Sequence, residues 1–127
     1  MQNKKILIVD DDSFLLDMYA LKFTQSGFDV TTGLGALPAL EKLRGGYSPD
    51  LILLDIVMPG MDGFEFLGKM KDEKLAPTAI KIILSNRGAE TDVKRGTELG
   101  ASGYIVKAST TPSEVLTHVT EIFSKHL

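Results

Sequence analysis

The sequence predicts a doubly wound α/β domain, in which a five-stranded parallel sheet carries helices on both faces. Two observations predict this class. Five short apolar runs alternate with longer segments, and in four of these segments apolar residues recur at helical spacing. Such alternation is typical of successive βαβ units. The apolar runs are also uninterrupted, as in strands that are buried on both faces. A length of 127 residues suits one domain, and we expect it to span residues 1–127.

The elements follow one another in a regular order. The predicted strands are Ile6–Val9, Phe28–Thr32, Leu51–Leu54, Ile80–Leu84 and Tyr104–Val106, and the second is expected at an edge of the sheet. The first predicted helix runs from about Ser13 to Ser26, because Gly27 ends it. Apolar residues at helical spacing mark four of the five helices and are expected in the core: Phe14, Met18 and Leu21; Leu37, Leu40 and Leu43; Phe64, Leu67 and Met70; Val115, Val119, Ile122 and Phe123.

The remaining helix, the fourth, is predicted over about Glu90–Leu99 and is poor in helix-forming residues. Its interior Gly96 costs about 1 kcal/mol relative to Ala. Two interpretations stay open. Gly96 either permits close packing on the sheet, or it marks a marginal element that a phosphate contact can shift.

The composition excludes several classes of protein. The chain has no Cys, which excludes disulfides, thiolate metal sites and a Cys nucleophile. A formal net charge of −3 argues against broad nucleic-acid binding, which needs a basic surface. We find no apolar stretch long enough to span a membrane and no secretory signal, so we expect a cytoplasmic protein.

Polar side chains follow four of the predicted strands. Asp10 and Asp11 follow the first strand, Asp55 the third, Ser85 the fourth and Lys107 the fifth. Open α/β sheets bind ligands at the carboxyl ends of their strands. Carboxylates that share one crevice repel one another and favour a bound cation, and oxygen ligands favour Mg²⁺, Ca²⁺ or Mn²⁺ over zinc. A metal, an ammonium and a hydroxyl around one carboxylate are what phosphoryl transfer to aspartate requires.

Four blocks of the sequence resemble signature segments of response-regulator receiver domains, and the resemblance covers essentially the whole chain. The blocks are Ile6–Asp12 (ILIVDDD), Leu51–Gly63 (LILLDIVMPGMDG), Ile82–Asn86 (IILSN) and Gly100–Lys107 (GASGYIVK). The resemblance implies the strand order 2-1-3-4-5 of the flavodoxin-like fold. It also implies a phosphorylation-dependent signalling switch. Such a domain is not an enzyme, apart from transferring a phosphoryl group to itself and later hydrolysing it.

The resemblance assigns roles to individual residues. It implies that Asp55 is the phosphoacceptor, that Asp11, Asp55 and the backbone carbonyl of Val57 bind Mg²⁺, and that Asp10 holds the metal through water. It further implies that Ser85 and Lys107 bind the phosphoryl group and that the Tyr104 side chain changes orientation on activation.

The resemblance also implies partners. The phosphoryl donor would be the phosphohistidine of a sensor histidine kinase or of a histidine phosphotransfer protein. The output would be a change in the surface from the fourth helix to the last, which controls an unknown protein partner. Dimerisation on phosphorylation stays open, and neither direct nucleic-acid binding nor membrane binding is expected.

Several positions depart from the family pattern or flank the acceptor. Ala108 follows Lys107, where the family usually has a cis-proline. Because a cis bond to a non-proline residue costs about 2.5–4 kcal/mol, we predict that the Lys107–Ala108 peptide bond is trans. Asn86 and Arg87 are expected to modulate access to the phosphoryl group. The apolar Val57 cannot orient an attacking water, so we hypothesise slow self-dephosphorylation.

Alternative interpretations stay open at this point. The chain could be a degenerate receiver that acts as a constitutive interaction module, or a Mg²⁺-dependent aspartyl-phosphate phosphatase, although Val57 stands where such enzymes generally carry a second Asp. A nucleotide or flavin binder is disfavoured, because the acidic run Asp10–Asp12 would repel a phosphate. Four further polar residues are expected to have structural and not catalytic roles. Asp12 and Asp62 are predicted to cap helices, and His118 and His126 are predicted to lie on the surface.

Overall fold

Residues 3–127 are described in the computed structural model, and residues 1 and 2 of the predicted domain lie outside the described part. The strands are β1 (Lys5–Asp10), β2 (Asp29–Leu34), β3 (Leu51–Leu54), β4 (Ile80–Ser85) and β5 (Gly103–Val106). The helices are α1 (Ser13–Gln25), α2 (Ala36–Arg44), α3 (Gly63–Asp72), α4 (Glu90–Glu98) and α5 (Pro112–Ser124). None of the helices in residues 3–127 is both long and apolar enough to cross a membrane.

The five strands form one parallel sheet in the order β2-β1-β3-β4-β5, which confirms the predicted order and the edge position of β2. The register decides which side chains meet. Val9 of β1 pairs with Leu54 of β3, so Asp10 and Asp55 leave adjacent strands at the same level. Ser85 of β4 pairs with Val106 of β5, so Lys107 leaves the sheet beside Ser85.

The core lies on both faces of the sheet, because successive residues of a strand point to opposite sides. In β3, Ile52 and Leu54 pack on one side with residues of α2 and α3, whereas Leu51 and Leu53 pack on the other side with residues of α1 and α5. Burial of each such side chain contributes roughly 1.5–3 kcal/mol. Uninterrupted apolar strands are therefore required in this architecture.

Side chains cap the helices as the sequence predicts. Asp12 accepts hydrogen bonds from the backbone N–H groups of Phe14 at 3.0 Å and Leu15 at 3.1 Å. Asp62 accepts one from the N–H of Glu65 at 2.8 Å. Both caps satisfy donors that a helix leaves free at its first turn. The predictions for Asp12 and Asp62 are confirmed.

The apolar stripe predicted for the core face of α1 is wrong at Phe14 and Leu21, whereas Met18 is partly buried against the core as predicted. Phe14 is 75% exposed and Leu21 is 61% exposed, and the buried residues of α1 are Leu16, Tyr19 and Phe23 instead. Both sets recur at helical spacing, and spacing alone does not decide which of two apolar stripes faces the sheet. In α2, the predicted core residue Leu37 is likewise exposed.

We expect Phe14→Ala and Leu21→Ala each to change the free energy of unfolding by less than about 0.5 kcal/mol, because substitutions at exposed positions are usually nearly neutral. Urea denaturation of the two variants measures this. A loss of about 2 kcal/mol or more in either variant would show that its side chain is buried in solution.

Helix α4 lies tightly against the sheet at its glycine. A Cβ added to Gly96 would approach Cδ1 of Ile83 to 2.5 Å, which is closer than side chains tolerate. This close contact supports the packing interpretation of Gly96, since a larger residue would require the end of the Ile83 side chain, or α4 itself, to shift.

Candidate functional site

Three carboxylates meet at the carboxyl edge of the sheet. Oxygen atoms of Asp10, Asp11 and Asp55 all lie within 4.8 Å of one another. Asp10 and Asp55 are buried, at 3% and 8% exposure, whereas Asp11 is exposed. The strands cause this convergence, because β1 and β3 are neighbours and end at the same level.

The Lys107 ammonium joins two of these carboxylates. Its Nζ donates to Oδ2 of Asp10 at 2.7 Å and to Oδ2 of Asp55 at 3.0 Å. Burial by itself disfavours the charged ammonium, but its contacts with Asp10 and Asp55 more than offset this effect, so the pKa of Lys107 lies above its usual value. One cation thus balances part of the charge of three acids.

Backbone groups fix the other oxygen of each buried acid. Oδ1 of Asp55 accepts from the N–H of Ile56 at 2.7 Å and from that of Val57 at 3.3 Å, and Oδ1 of Asp10 accepts from the N–H of Asp12 at 3.0 Å. The orientation of both carboxylates is therefore set by the chain itself. Although Asp11 is exposed, its carboxylate loses some hydration beside the other acids, and this loss, together with the negative charges of Asp10 and Asp55, raises the pKa of Asp11.

This donor set fits a hard divalent cation. All three groups offer oxygen atoms, which Mg²⁺ and Ca²⁺ prefer, and Lys107 leaves most of their negative charge unbalanced. Among the described residues these are the acids that could hold a metal together. The Val57 carbonyl as a further ligand stays a prediction.

Ser85 and Tyr104 flank the acids on the side of β4 and β5. Ser85 is fully buried, and its Oγ accepts from the N–H of Arg87 at 3.2 Å. It does not cap α4, which begins at Glu90. The half-buried Tyr104 hydroxyl donates to the Arg87 carbonyl, and burial raises its pKa. Both residues therefore hold the loop that follows β4.

A model of the response regulator receiver domain family matches residues 6–120. The chain belongs to this family. The family is one of receiver domains and is not a classical enzyme family. The match extends over β1 to most of α5 and includes each of the acids described above.

Named relatives of this receiver domain are transcriptional regulators. It is 35% identical over 123 residues to the alkaline phosphatase synthesis transcriptional regulatory protein PhoP of Bacillus subtilis, a match covering 97% of this chain and 50% of that protein. It is 31% identical over 122 residues to the phosphate regulon transcriptional regulatory protein PhoB of Escherichia coli, covering 96% and 52%. The chain thus spans about half the length of these relatives.

Two solved receiver-domain structures share the fold over nearly their whole length. A CheY-like receiver domain protein from Methanospirillum hungatei has a TM-score of 0.86 at 29% identity, and the match covers 98% of this chain and 97% of that one. A BeF3-activated DrrB receiver domain has a TM-score of 0.79 at 27% identity, with 97% and 99% covered.

The peptide bond between Lys107 and Ala108 is trans in this receiver domain, as predicted, since residues 3–127 contain no cis peptide bond. A short 3₁₀ helix, Lys107–Ser109, follows β5, and Oγ1 of Thr110 donates to the Val106 carbonyl at 2.7 Å. The loop therefore presents Lys107 to the acids without a proline at position 108.

Arg87 is turned toward α4. Its guanidinium donates to Oδ1 of Asp92 at 2.8 Å and lies 5.9 Å from the centre of the Phe64 ring. For Arg87 to contact a phosphoryl group on Asp55, this pair would have to open, so its predicted effect on access to that group stays a prediction. Asn86 and Val57 are exposed beside the site, and His118 and His126 lie on the surface as predicted.

Asp92 is a residue of the site's surroundings that was not predicted from the sequence. It is buried, at 8% exposure, and it anchors Arg87 from the first turn of α4. An acid in a first helical turn is ordinary in a sequence, because it favours the helix dipole wherever it occurs. No sequence pattern therefore distinguished the Arg87–Asp92 pair in advance.

Proposed function

We propose that this receiver domain is a phosphorylation-dependent switch, which accepts a phosphoryl group on Asp55 in a Mg²⁺-dependent reaction. One observation carries the proposal: Asp55 lies within 4.8 Å of two further carboxylates and 3.0 Å from the ammonium of Lys107. A carboxylate nucleophile held beside a cation and further oxygen ligands is the arrangement that phosphoryl transfer uses.

The transfer step exchanges one bond to phosphorus for another. A carboxylate oxygen of Asp55 bonds to phosphorus as the P–N bond of a donor phosphohistidine breaks, and the imidazole leaves with that electron pair. Negative charge is spread over the phosphoryl oxygens. Lys107, which follows β5, and the hydroxyl of Ser85, the last residue of the adjacent strand β4, would stabilise this charge. A Mg²⁺ held by Asp11 and Asp55, with Asp10 through water, would supply further positive charge.

Switching would follow from competition for Lys107. In this structure its ammonium is divided between Asp10 and Asp55, at 2.7 and 3.0 Å. A phosphoryl group on Asp55 would draw Lys107 and Ser85 toward itself. The Ser85 hydroxyl holds the Arg87 amide, so its movement would disturb the Arg87–Asp92 pair and the Tyr104 contact. Two states that differ by a few kcal/mol suffice for such a switch.

The partners proposed are a sensor histidine kinase or a histidine phosphotransfer protein as donor, and a protein that recognises the surface from α4 to α5 as output. The BeF3-activated DrrB receiver, similar over nearly the whole chain, supports an activated state of this fold. We place the reaction in the cytoplasm, which suits a chain without Cys.

Self-dephosphorylation is proposed to be slow. The Val57 side chain is 54% exposed beside the acceptor and offers no hydrogen bond to an attacking water. Arg87, the other flanking residue, is occupied by Asp92. A Val57→Asn variant should then lose its phosphate faster than the wild type.

The proposal is tested by incubating the protein with Mg²⁺ and acetyl phosphate and measuring intact mass. We expect one phosphoryl group per chain in the wild type and none in Asp55→Asn or without Mg²⁺. The matched control is Asp12→Asn, because Asn caps helices as well as Asp does and Asp12 lies outside the acidic cluster; it should be phosphorylated normally.

Two outcomes would contradict the proposal. Absence of phosphorylation in the folded wild-type protein would favour a constitutive interaction module. Release of inorganic phosphate from a phosphomonoester, at many turnovers per chain, would favour a phosphatase, because acetyl phosphate also turns over by labelling and autodephosphorylation of a receiver.

A further inference from the structure

A cavity lies away from the acids, between the end of α3 and the end of α4. Its volume is about 240 Å³, and Lys81, near the start of β4, forms part of its wall. Lys81 precedes Ser85 by four residues along β4, which separates the cavity from the phosphoacceptor edge by roughly 13 Å. The proposed switch uses none of the cavity residues.

The cavity combines an apolar interior with positive charge. Leu67 and Met70 of α3 are fully buried beneath it, and Leu75 and Leu99 complete the apolar wall. Three of the lining residues are lysines, namely Lys71, Lys74 and Lys81, and no acid lines it. Within residues 3–127 none of the three lysines forms an ion pair.

Lys81 is the unusual member of this set. It lies inside the sheet, on the same face as the buried Ile83, and it is half-buried. Burial lowers its pKa, because a charged ammonium loses hydration there without gaining a partner. A lysine whose side chain lies against an apolar cavity and lacks an anion is costly for the fold unless an anion joins it.

We propose that this cavity binds a small amphipathic carboxylate, whose apolar body lies against Leu75 and Leu99, above the buried Leu67 and Met70, and whose carboxylate pairs with Lys81. Charge complementarity selects the anion, because three lysines and no acid line the cavity. The volume of about 240 Å³ is below the range of roughly 300–1,000 Å³ that drug-sized ligands occupy, which selects a short body.

The experiment titrates the full chain with hexanoate and follows methyl resonances by NMR. We expect the signals of Leu67, Leu99 and Met70 to shift saturably. Lys81→Met should weaken binding by about tenfold or more, since a hydrogen bond to a charged group contributes roughly 1.5–3 kcal/mol. This variant should fold at least as stably as the wild type, because it removes a half-buried charge and keeps the apolar stem.

Matched controls separate the proposed site from simpler ones. Lys69→Gln removes an equal charge from α3 at an exposed position that does not line the cavity, and hexanoate binding should be unchanged. Hexanol should bind at least about tenfold more weakly than hexanoate, because it lacks the charge that pairs with Lys81.

Several results would overturn the proposal. Equal binding of hexanol would make the cavity a plain apolar cleft, and the same shifts with inorganic phosphate would make it a bare anion site. Chemical shifts that change with protein concentration in the absence of hexanoate would show that the cavity is a contact between two copies of the chain. Absence of any chemical-shift change at the cavity residues would show that the cavity does not bind hexanoate. Phosphorylation of Asp55 is measured separately, so either proposal can fail alone.

Discussion

Lys107→Met should lower the free energy of unfolding by about 3 kcal/mol in metal-free buffer, because removing one partner of a buried ion pair leaves an uncompensated charge. The Lys107 side chain is 9% exposed, and its partners Asp10 and Asp55 are 4% and 10% exposed. With the ammonium gone, three carboxylates within 4.8 Å of one another repel without any balancing cation. Chemical denaturation in the presence of a chelator measures the loss.

A second substitution separates charge from packing in this prediction. Asp10→Asn in the Lys107→Met background should restore part of the stability, because one of the repelling charges is removed. Added Mg²⁺ should stabilise Lys107→Met by occupying the same acids. Lys69→Met, at an exposed position on α3, should change stability by less than about 0.5 kcal/mol. Equal stability of Lys107→Met and the wild type in chelator would contradict the ion-pair geometry.

Gly63→Ala should destabilise the protein by about 3 kcal/mol and impair phosphorylation of Asp55. A Cβ at Gly63 would overlap the backbone oxygen of Asp55 and lie 2.8 Å from Cα of Ile56. Neither atom belongs to a flexible side chain, so the start of α3 would have to move away from the end of β3. Overpacking of this kind costs roughly 1–3 kcal/mol, and more where backbone must shift.

The same helix offers a matched control. A Cβ at Gly68 of α3 would meet no atom within 4 Å. Gly68→Ala should therefore stabilise the protein by up to about 1 kcal/mol, because Ala favours a helix interior over Gly. Thermal unfolding and acetyl phosphate labelling of the two variants measure both effects. Similar stability and labelling in Gly63→Ala and Gly68→Ala would show that α3 does not press against the acceptor strand.

Strand positions and the polar residues that follow them were predictable from local sequence. The run Leu51–Leu54 is a strand in the structure with the predicted bounds, and β4 extends the predicted strand only by Ser85. Uninterrupted apolar runs are distinctive, because both faces of a parallel sheet are buried. The meeting of Asp10 and Asp55 then follows from any topology that makes their strands neighbours, and the resemblance supplied that order.

Features that depend on tertiary packing were not predictable. Two apolar stripes compete on α1, and only the assembled sheet shows that Phe23 is buried while Phe14 is exposed. Lys107 and Asp10 are 97 positions apart in the chain, so no local sequence pattern predicts the distance or the geometry of their contact. Lys81 resembled an ordinary strand residue, and its cavity exists only where the ends of α3 and α4 approach β4.

Chemical mapping of the phosphorylated side chain tests the central claim most directly. Borohydride reduces an acyl phosphate to an alcohol, so treatment of the phosphorylated protein converts a phosphoaspartate to homoserine, which peptide mass spectrometry locates. We expect homoserine at position 55 and at no other position. Homoserine at position 10 or 11, or a phosphate on Ser85 that survives borohydride, would contradict the assignment of Asp55 as the acceptor.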